Sequence, residues 1–199
     1  MRFTPIMGAG LIFGATLTPI AWAEGTETAA TETAAIVAPP APQSATPEEV
    51  ISKVREAAKY LHEKGDSGFA EFNAKSSKWV WKDSYVFLYN CQQNRMISHP
   101  FRPDLVDRPI LQIKDSKGTL LFQKLCEAGK LKDGGWVEYY WDKPGDAAPS
   151  RKISYALAAD VSFKVGIQVG AGIYDETATQ EQLTNLIVKM SDPSHYPAP

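Results

Sequence analysis

Tyr85-Val86-Phe87-Leu88-Tyr89-Asn90, a short polar break, then Arg95-Met96-Ile97-Ser98-His99-Pro100: this stretch decides how the rest of the chain is read. The first run is rich in β-branched and aromatic residues, which favour a pleated, half-buried surface, so it reads as a strand. Tyr85, Phe87 and Tyr89 share one face; Val86 and Leu88 share the other. A strand apolar on both faces is covered on both. Cys91-Gln92-Gln93-Asn94 is short enough for a hairpin loop, with Asn94 suited to the left-handed position such loops need. Pro100 cannot donate to a ladder, so the second strand stops at His99.

Upstream, Thr46-Pro47-Glu48-Glu49 is a helix start: Thr46 as N-cap, Pro47 at the first helical position, Glu49 completing a capping box. Val50, Ile51, Val54, Ala57, Ala58 and Leu61 recur at helical spacing on one face, and Gly65 ends the helix. A short turn carrying Phe69 and Phe72 follows. Downstream, Phe101–Asp107 reads as a loop, Asp115–Gly118 as a turn, and Thr119–Gly129 as a short helix with Leu121, Phe122, Leu125 and Cys126 on its apolar side. Trp136–Trp141, Arg151–Ala159 and Lys164–Ile173 are strands, the first two joined by a Pro- and Gly-containing loop. Val165, Ile167, Val169, Ala171 and Ile173 share one face of the last strand, and Gly166, Gly170 and Gly172 share the other, where a neighbour can approach closely. Thr179 or Asp175 caps a final helix carrying Leu183, Leu186, Ile187 and Met190. Hairpin connections with helices set apart from them make an α+β fold: an antiparallel sheet of about five strands, a long N-terminal helix on one face and a short C-terminal helix.

Tyr85-Val86-Phe87-Leu88-Tyr89 followed by His99-Pro100 resembles the opening of a single Cache domain, the PAS-like extracytoplasmic sensor module of chemoreceptors and sensor kinases. Gly135-Trp136-Val137-Glu138-Tyr139, Lys152-Ile153-Ser154-Tyr155 and Gly170-Ala171-Gly172-Ile173-Tyr174 resemble the same family in the same order. The resemblance spans roughly Glu48 to Glu176. It implies a PAS-like sheet, places the long helix against the glycine face of the last strand, and suggests a short carboxylate such as acetate, propionate or pyruvate as ligand. The family usually has Gly near Asp107 and Trp near Ile167, and this chain departs at both.

The 199 residues, 44% hydrophobic and 22% charged, suit one domain with one sizeable core. Net charge is -2, and from Pro47 onward the charges balance. A neutral domain without a basic stripe is a poor nucleic-acid binder. Residues 1–23 read as a cleaved signal peptide: Arg2 in the n-region, an apolar Ile6–Leu17, and a small-x-small site at Ala21-Trp22-Ala23. An uncleaved N-terminal anchor is the alternative. Residues 24–46, built of Glu, Thr, Ala and Pro, read as a disordered linker; 47–190 as the domain; 191–199 as a flexible tail. The expected location is the periplasm or outside the cell. Cys91 and Cys126 are either a disulfide or two separate thiols, a choice that spacing does not make.

Nothing in the chain matches a hydrolase elbow, a Walker loop, a dinucleotide fingerprint or a zinc helix. His62, His99 and His195 fall on a helix face, a strand end and a tail, a poor basis for a metal site. We therefore expect no enzyme, no cofactor and no metal, and instead a binding pocket. Its candidate lining is Tyr85, Tyr89, His99, Tyr139, Trp141, Lys152 and Tyr155: aromatic bodies with polar tips and one cation. The match to the family's Lys-x-Ser-Tyr pattern is what brings Lys152 into this set. Strand alternation sets Lys152 and Tyr155, three apart, on opposite faces. Either a bulge near Arg151–Ser154 brings both inward, or Lys152 lies outside and the hydroxyls act with His99. The expected role is a sensor that binds a small organic ligand, a short carboxylate, and signals through a separate membrane receptor or sensor kinase. The alternative is a passive scavenging or assembly protein on the same fold.

Overall fold

The computed structural model describes residues 43–192. The signal-peptide reading, nearly all of the linker and nearly all of the tail lie outside them. Helix α1 (Pro47–Lys64) starts where Thr46 predicts: the Thr46 hydroxyl accepts the Glu49 N–H, and the Glu49 carboxylate accepts the Thr46 N–H. Gly65, at φ +64°, ends it in a conformation that favours glycine. A 3₁₀ segment, Gly65–Asn73, follows and buries Phe72. The packed domain begins slightly earlier than the linker reading placed it. Ala45 is buried, and its N–H donates to Asp83 Oδ1 at 2.7 Å.

The strands are β1 (Val80–Trp81), β2 (Ser84–Tyr85), β3 (Phe87–Asn90), β4 (Arg95–Ser98), β5 (Gly135–Asp142), β6 (Pro149–Ala158) and β7 (Ile167–Ile173). Helices α2 (Leu121–Ala128) and α3 (Gln180–Ser191) complete the chain. The run expected as one strand from Tyr85 is divided: Tyr85 pairs with β1, and β3 starts at Phe87. A five-stranded antiparallel sheet has the order β4-β3-β7-β6-β5. Asn94 takes the left-handed conformation expected of it, at φ +51°, and its carbonyl oxygen accepts the N–H groups of Ile110 and Leu111. Asp107 is also left-handed, at φ +62°, which explains why a glycine suits that neighbourhood.

Each face of the sheet has its own core. On one, Val50, Ile51, Val54, Ala57 and Leu61 of α1 pack with Ile153, Tyr155, Val169, Ala171 and Ile173, and α3 adds Leu183, Ile187 and Met190. On the other, Tyr85, Phe87, Tyr89, Val137, Tyr139 and Trp141 lie under α2 and the chain preceding it, through Phe122, Leu125 and Ile110. Burying each such side chain stabilises by roughly 1.5–3 kcal/mol, so neither cover peels away cheaply. Cys91, just after β3, is bonded to Cys126 on α2, resolving the choice the sequence left open. The glycine face of β7 is turned away from α1, contrary to what the resemblance implied. A Cβ at Gly170 would stand 2.5 Å from the Phe87 ring, and one at Gly172 3.0 Å from Lys152 Cε. The close neighbours that require glycine are therefore groups of the second core.

Candidate functional site

Period-two alternation carries side chains from three strands to one place beneath the second face. β3 supplies Phe87 and Tyr89, with Tyr85 just before it; β5 supplies Tyr139 and Trp141; β6 supplies Lys152 and Ser154. Tyr139 and Lys152 are directly opposite one another on β5 and β6. Pairing of β5 with β6 runs without a break from Gly135 to Asp142, so there is no bulge near Arg151–Ser154.

Lys152 is the centre of the group. It is 1% exposed, and its ammonium lies 3.9 Å from the centre of the Tyr85 ring, 5.1 Å from Tyr174 and 5.5 Å from Phe87. Among the described residues no carboxylate lies within ion-pair distance of it. The nearest influence of that sign, Asp83, is held by the Ala45 N–H and by Lys143 Nζ at 3.0 Å. Burial drives the Lys152 pKa well below the ordinary lysine value, and the charge on Asp83 only partly opposes this.

His99 closes one side, with its ring 4.9 Å from Tyr85 and 6.2 Å from Trp141. Its Nδ1 accepts the N–H groups of Phe101 at 3.2 Å and Arg102 at 2.9 Å. That pattern assigns the proton of the neutral ring to Nε2. Burial, reinforced by the charge of Lys152, holds the His99 pKa well below the usual imidazole value, so the ring is neutral at pH 7. The buried hydroxyls of Tyr85 and Tyr89 have no hydrogen-bond partner among the described residues, whereas the Tyr139 hydroxyl shares a 2.8 Å bond with Ser154 Oγ. Burial raises the pKa of Tyr85 and Tyr139, keeping both phenols protonated. Phe101, 5.0 Å from Tyr85, and the Arg102 guanidinium, 5.5 Å from the Trp141 ring, cover the group from the loop after β4.

Six of the seven residues selected from sequence thus lie on this face. Tyr155 does not. It points to the α1 side, packs on Trp136 with ring centres 5.4 Å apart, and donates its hydroxyl to the Asp133 carbonyl. The two options foreseen for β6 both fail, because alternation holds and it is Lys152 that faces inward. Sequence reasoning missed Phe87, Phe101, Arg102 and Tyr174 as neighbours of the cation. Phe87 was legible from its parity with Tyr85 and Tyr89. Tyr174 lies just past the end of β7, where alternation gives no guide. No group of His, Cys, Asp and Glu suited to a metal ion occurs among the described residues.

The group offers hydrogen-bond donors and no carboxylate among the described residues: the Lys152 amine, an imidazole N–H and two hydroxyls, screened by rings from bulk water. A cavity of about 790 Å³ elsewhere, between α2 and β5, contains none of these residues. The tightly filled donor group and the open cleft are therefore different places.

An antiparallel five-stranded sheet with α1 and α3 on one face and α2 on the other is the α+β architecture of PAS-like sensor modules. The chain belongs to the Single Cache domain 2 family, whose pattern matches residues 30–188. It is 34% identical over 100 residues to the methyl-accepting chemotaxis protein McpP of Pseudomonas putida, covering 50% of this chain and 18% of that one. It is 29% identical over 105 residues to the sensor histidine kinase MctS of Rhizobium johnstonii, covering 52% and 22%. The match thus spans about a fifth of the length of these curated relatives. Among solved structures, a periplasmic sensor domain of a chemotaxis protein aligns with TM-score 0.49 and 27% identity over 65% of this chain and 97% of that one. A Cache chemosensory domain described for carboxylic acid recognition aligns with TM-score 0.48 and 26% identity over 63% and 86%. Single Cache domains are extracytoplasmic sensors and generally non-enzymatic. No helix among the described residues is long and apolar enough to cross a membrane.

Proposed function

We propose that this protein is a sensor whose pocket, formed by Tyr85, Tyr89, His99, Tyr139, Trp141 and Lys152, takes a short organic carboxylate. The observation that carries the reading is the unpaired, fully buried Lys152 among protonated donors. A carboxylate entering an apolar site loses its water, which is costly unless charged and hydrogen-bonding groups replace it. Lys152 supplies the charge; the Tyr85 hydroxyl and His99 Nε2 supply neutral donors. Glycine at 170 and 172 lets Phe87, Ser154 and Lys152 pack closely against β7, so a ligand enters by displacing these side chains and must be short. Ligand binding then favours the conformation with higher affinity, and a separate receptor or sensor kinase reads the shift. Residues 1–23 act as a cleaved export signal, the stretch between them and the packed domain as a linker and the residues after the last helix as a tail, and the domain works in the periplasm. Thermal melting against acetate, propionate, pyruvate and neutral isosteres tests the pocket. Saturable stabilisation by an acid and not by its amide supports it; indifference to all of them rejects it.

A further inference from the structure

β5 is an edge strand, pairing with β6 on one side only. Its outward backbone groups are tied at two places: the Trp136 carbonyl accepts from Gln180 Nε2 at 2.7 Å, and the Tyr140 N–H donates to Asp115 Oδ2 at 2.9 Å. Because outward groups alternate along an antiparallel edge, the N–H and C=O of Glu138, midway between, also point outward, as do the Trp136 N–H and the Tyr140 C=O. None of these has a protein partner among the described residues. Open backbone groups on an edge are a template for another strand.

The space beside them is shaped for side chains. The cleft of about 790 Å³ runs between this edge and α2, lined by Val137, Leu111, Ala128 and the Cys91–Cys126 bridge. Leu131, 60% exposed, stands nearby. Lys124 and Lys130 line the cleft, and Lys117 lies with its ammonium 5.1 Å from the Tyr140 ring. The nearby carboxylates are largely committed. Glu138 is paired with Arg151 at 2.7 Å, Glu127 with Lys130 at 2.8 Å, and Asp115 accepts the N–H groups of Lys117, Thr119 and Tyr140, which leaves Lys117 and Lys124 as the lysines here without an ion-pair partner among the described residues.

We propose that the outer edge of β5 and the adjoining cleft bind an extended, acidic segment of a partner protein by strand addition. The main chain of Glu138 supplies the hydrogen bonds, the cleft takes alternate apolar side chains, and the lysines select acidic ones. A second copy is the poorer occupant, since an antiparallel β5–β5 pair brings the same lysine-bearing rims together. Tyr139 and Trp141, on the same face of the strand as Val137, belong to the proposed pocket, so a strand seated here touches an element that also forms that pocket. The docking surface does not depend on what the pocket takes.

The probe is the peptide acetyl-Glu-Val-Glu-Val-Glu-Val-amide, compared with its Lys-for-Glu counterpart, titrated into the full chain and followed by backbone amide NMR. The expected result is saturable binding of the acidic peptide, slowed hydrogen exchange at the Glu138 amide, and weaker binding to Lys117→Glu/Lys124→Glu. Glu138→Pro removes an outward N–H together with the Arg151 ion pair, and weakens binding about tenfold, the worth of one good hydrogen bond. Glu138→Ala loses the same Arg151 pair, keeps the N–H and binds like the natural protein. No saturable binding, equal binding of both peptides, or indifference to Glu138→Pro in a folded variant would overturn the proposal; so would a dimer in sedimentation that Glu138→Pro dissociates.

Discussion

Lys152 Nζ stands 3.9 Å over the centre of the Tyr85 ring, on a side chain that is 1% exposed. An ammonium there is held by ring quadrupoles, worth up to about 2 kcal/mol when desolvated, and by no nearby carboxylate. Burial opposes the charge more strongly than the rings and Asp83 favour it, which is why the Lys152 pKa lies well below the ordinary lysine value.

Two opposite effects should follow from Lys152→Met. Without its cation the pocket should lose short-carboxylate binding by roughly 2–5 kcal/mol, the scale for stranding a desolvated charge. Replacing an unpaired buried cation by an apolar chain of similar volume should leave the fold as stable or more so. Isothermal titration and thermal melting measure the two quantities. Near-natural affinity in the folded variant would remove Lys152 from the site.

Tyr155→Phe separates the pocket from the core behind it. The Tyr155 hydroxyl bonds the Asp133 carbonyl on the α1 side of the sheet, and its loss should cost about 1 kcal/mol of stability. Ligand affinity should be unchanged. A large loss of affinity would mean that the two faces are coupled through β6.

These two positions show how far the sequence could be read. Helix α1, its capping box and the antiparallel sheet were legible because capping and periodicity are local signals. Alternation placed Tyr85 and Tyr89 on one face, and Tyr139 and Trp141 on another common face. The resemblance motif, however, groups Lys152 with Tyr155, which strand geometry separates, and there the geometry was the better guide. The neighbour of the β7 glycines and the Cys91–Cys126 pairing were not legible. Both depend on which face of the sheet each helix covers, a long-range choice that no local spacing encodes.

Removing the Cys91–Cys126 bridge should be costly because it closes a loop of sequence separation 35, worth on the order of 3–4 kcal/mol on chain-entropy grounds. The bridge also pins α2 over the aromatic face. Cys91→Ser/Cys126→Ser should therefore melt lower and bind ligand more weakly, and denaturant titration with a binding isotherm reads both. Unchanged stability would show that packing of Phe122 and Leu125 alone holds α2.

Acidification should act through His99. Its folded pKa is depressed, by burial first and then by Lys152, so the unfolded chain takes up a proton near pH 6.5 while the folded ring stays neutral. In the window from about pH 6.5 downward to the folded pKa, the unfolded state binds more protons, and stability falls as pH falls, by at most about 1.4 kcal/mol per pH unit. Carboxylates with lowered pKa, such as Asp104 and Asp175, have the same sign but act below about pH 4.5. Lys152, whose pKa is also depressed by burial, has the same sign, so melting between pH 7 and pH 5 isolates the histidine when it is done in the Lys152→Met background. In His99→Asn, whose side-chain oxygen can still accept the Arg102 N–H, the slope across that interval should flatten. A slope equal to that of the natural protein would show that His99 protonates freely, and that the loop over the pocket opens to admit the charge.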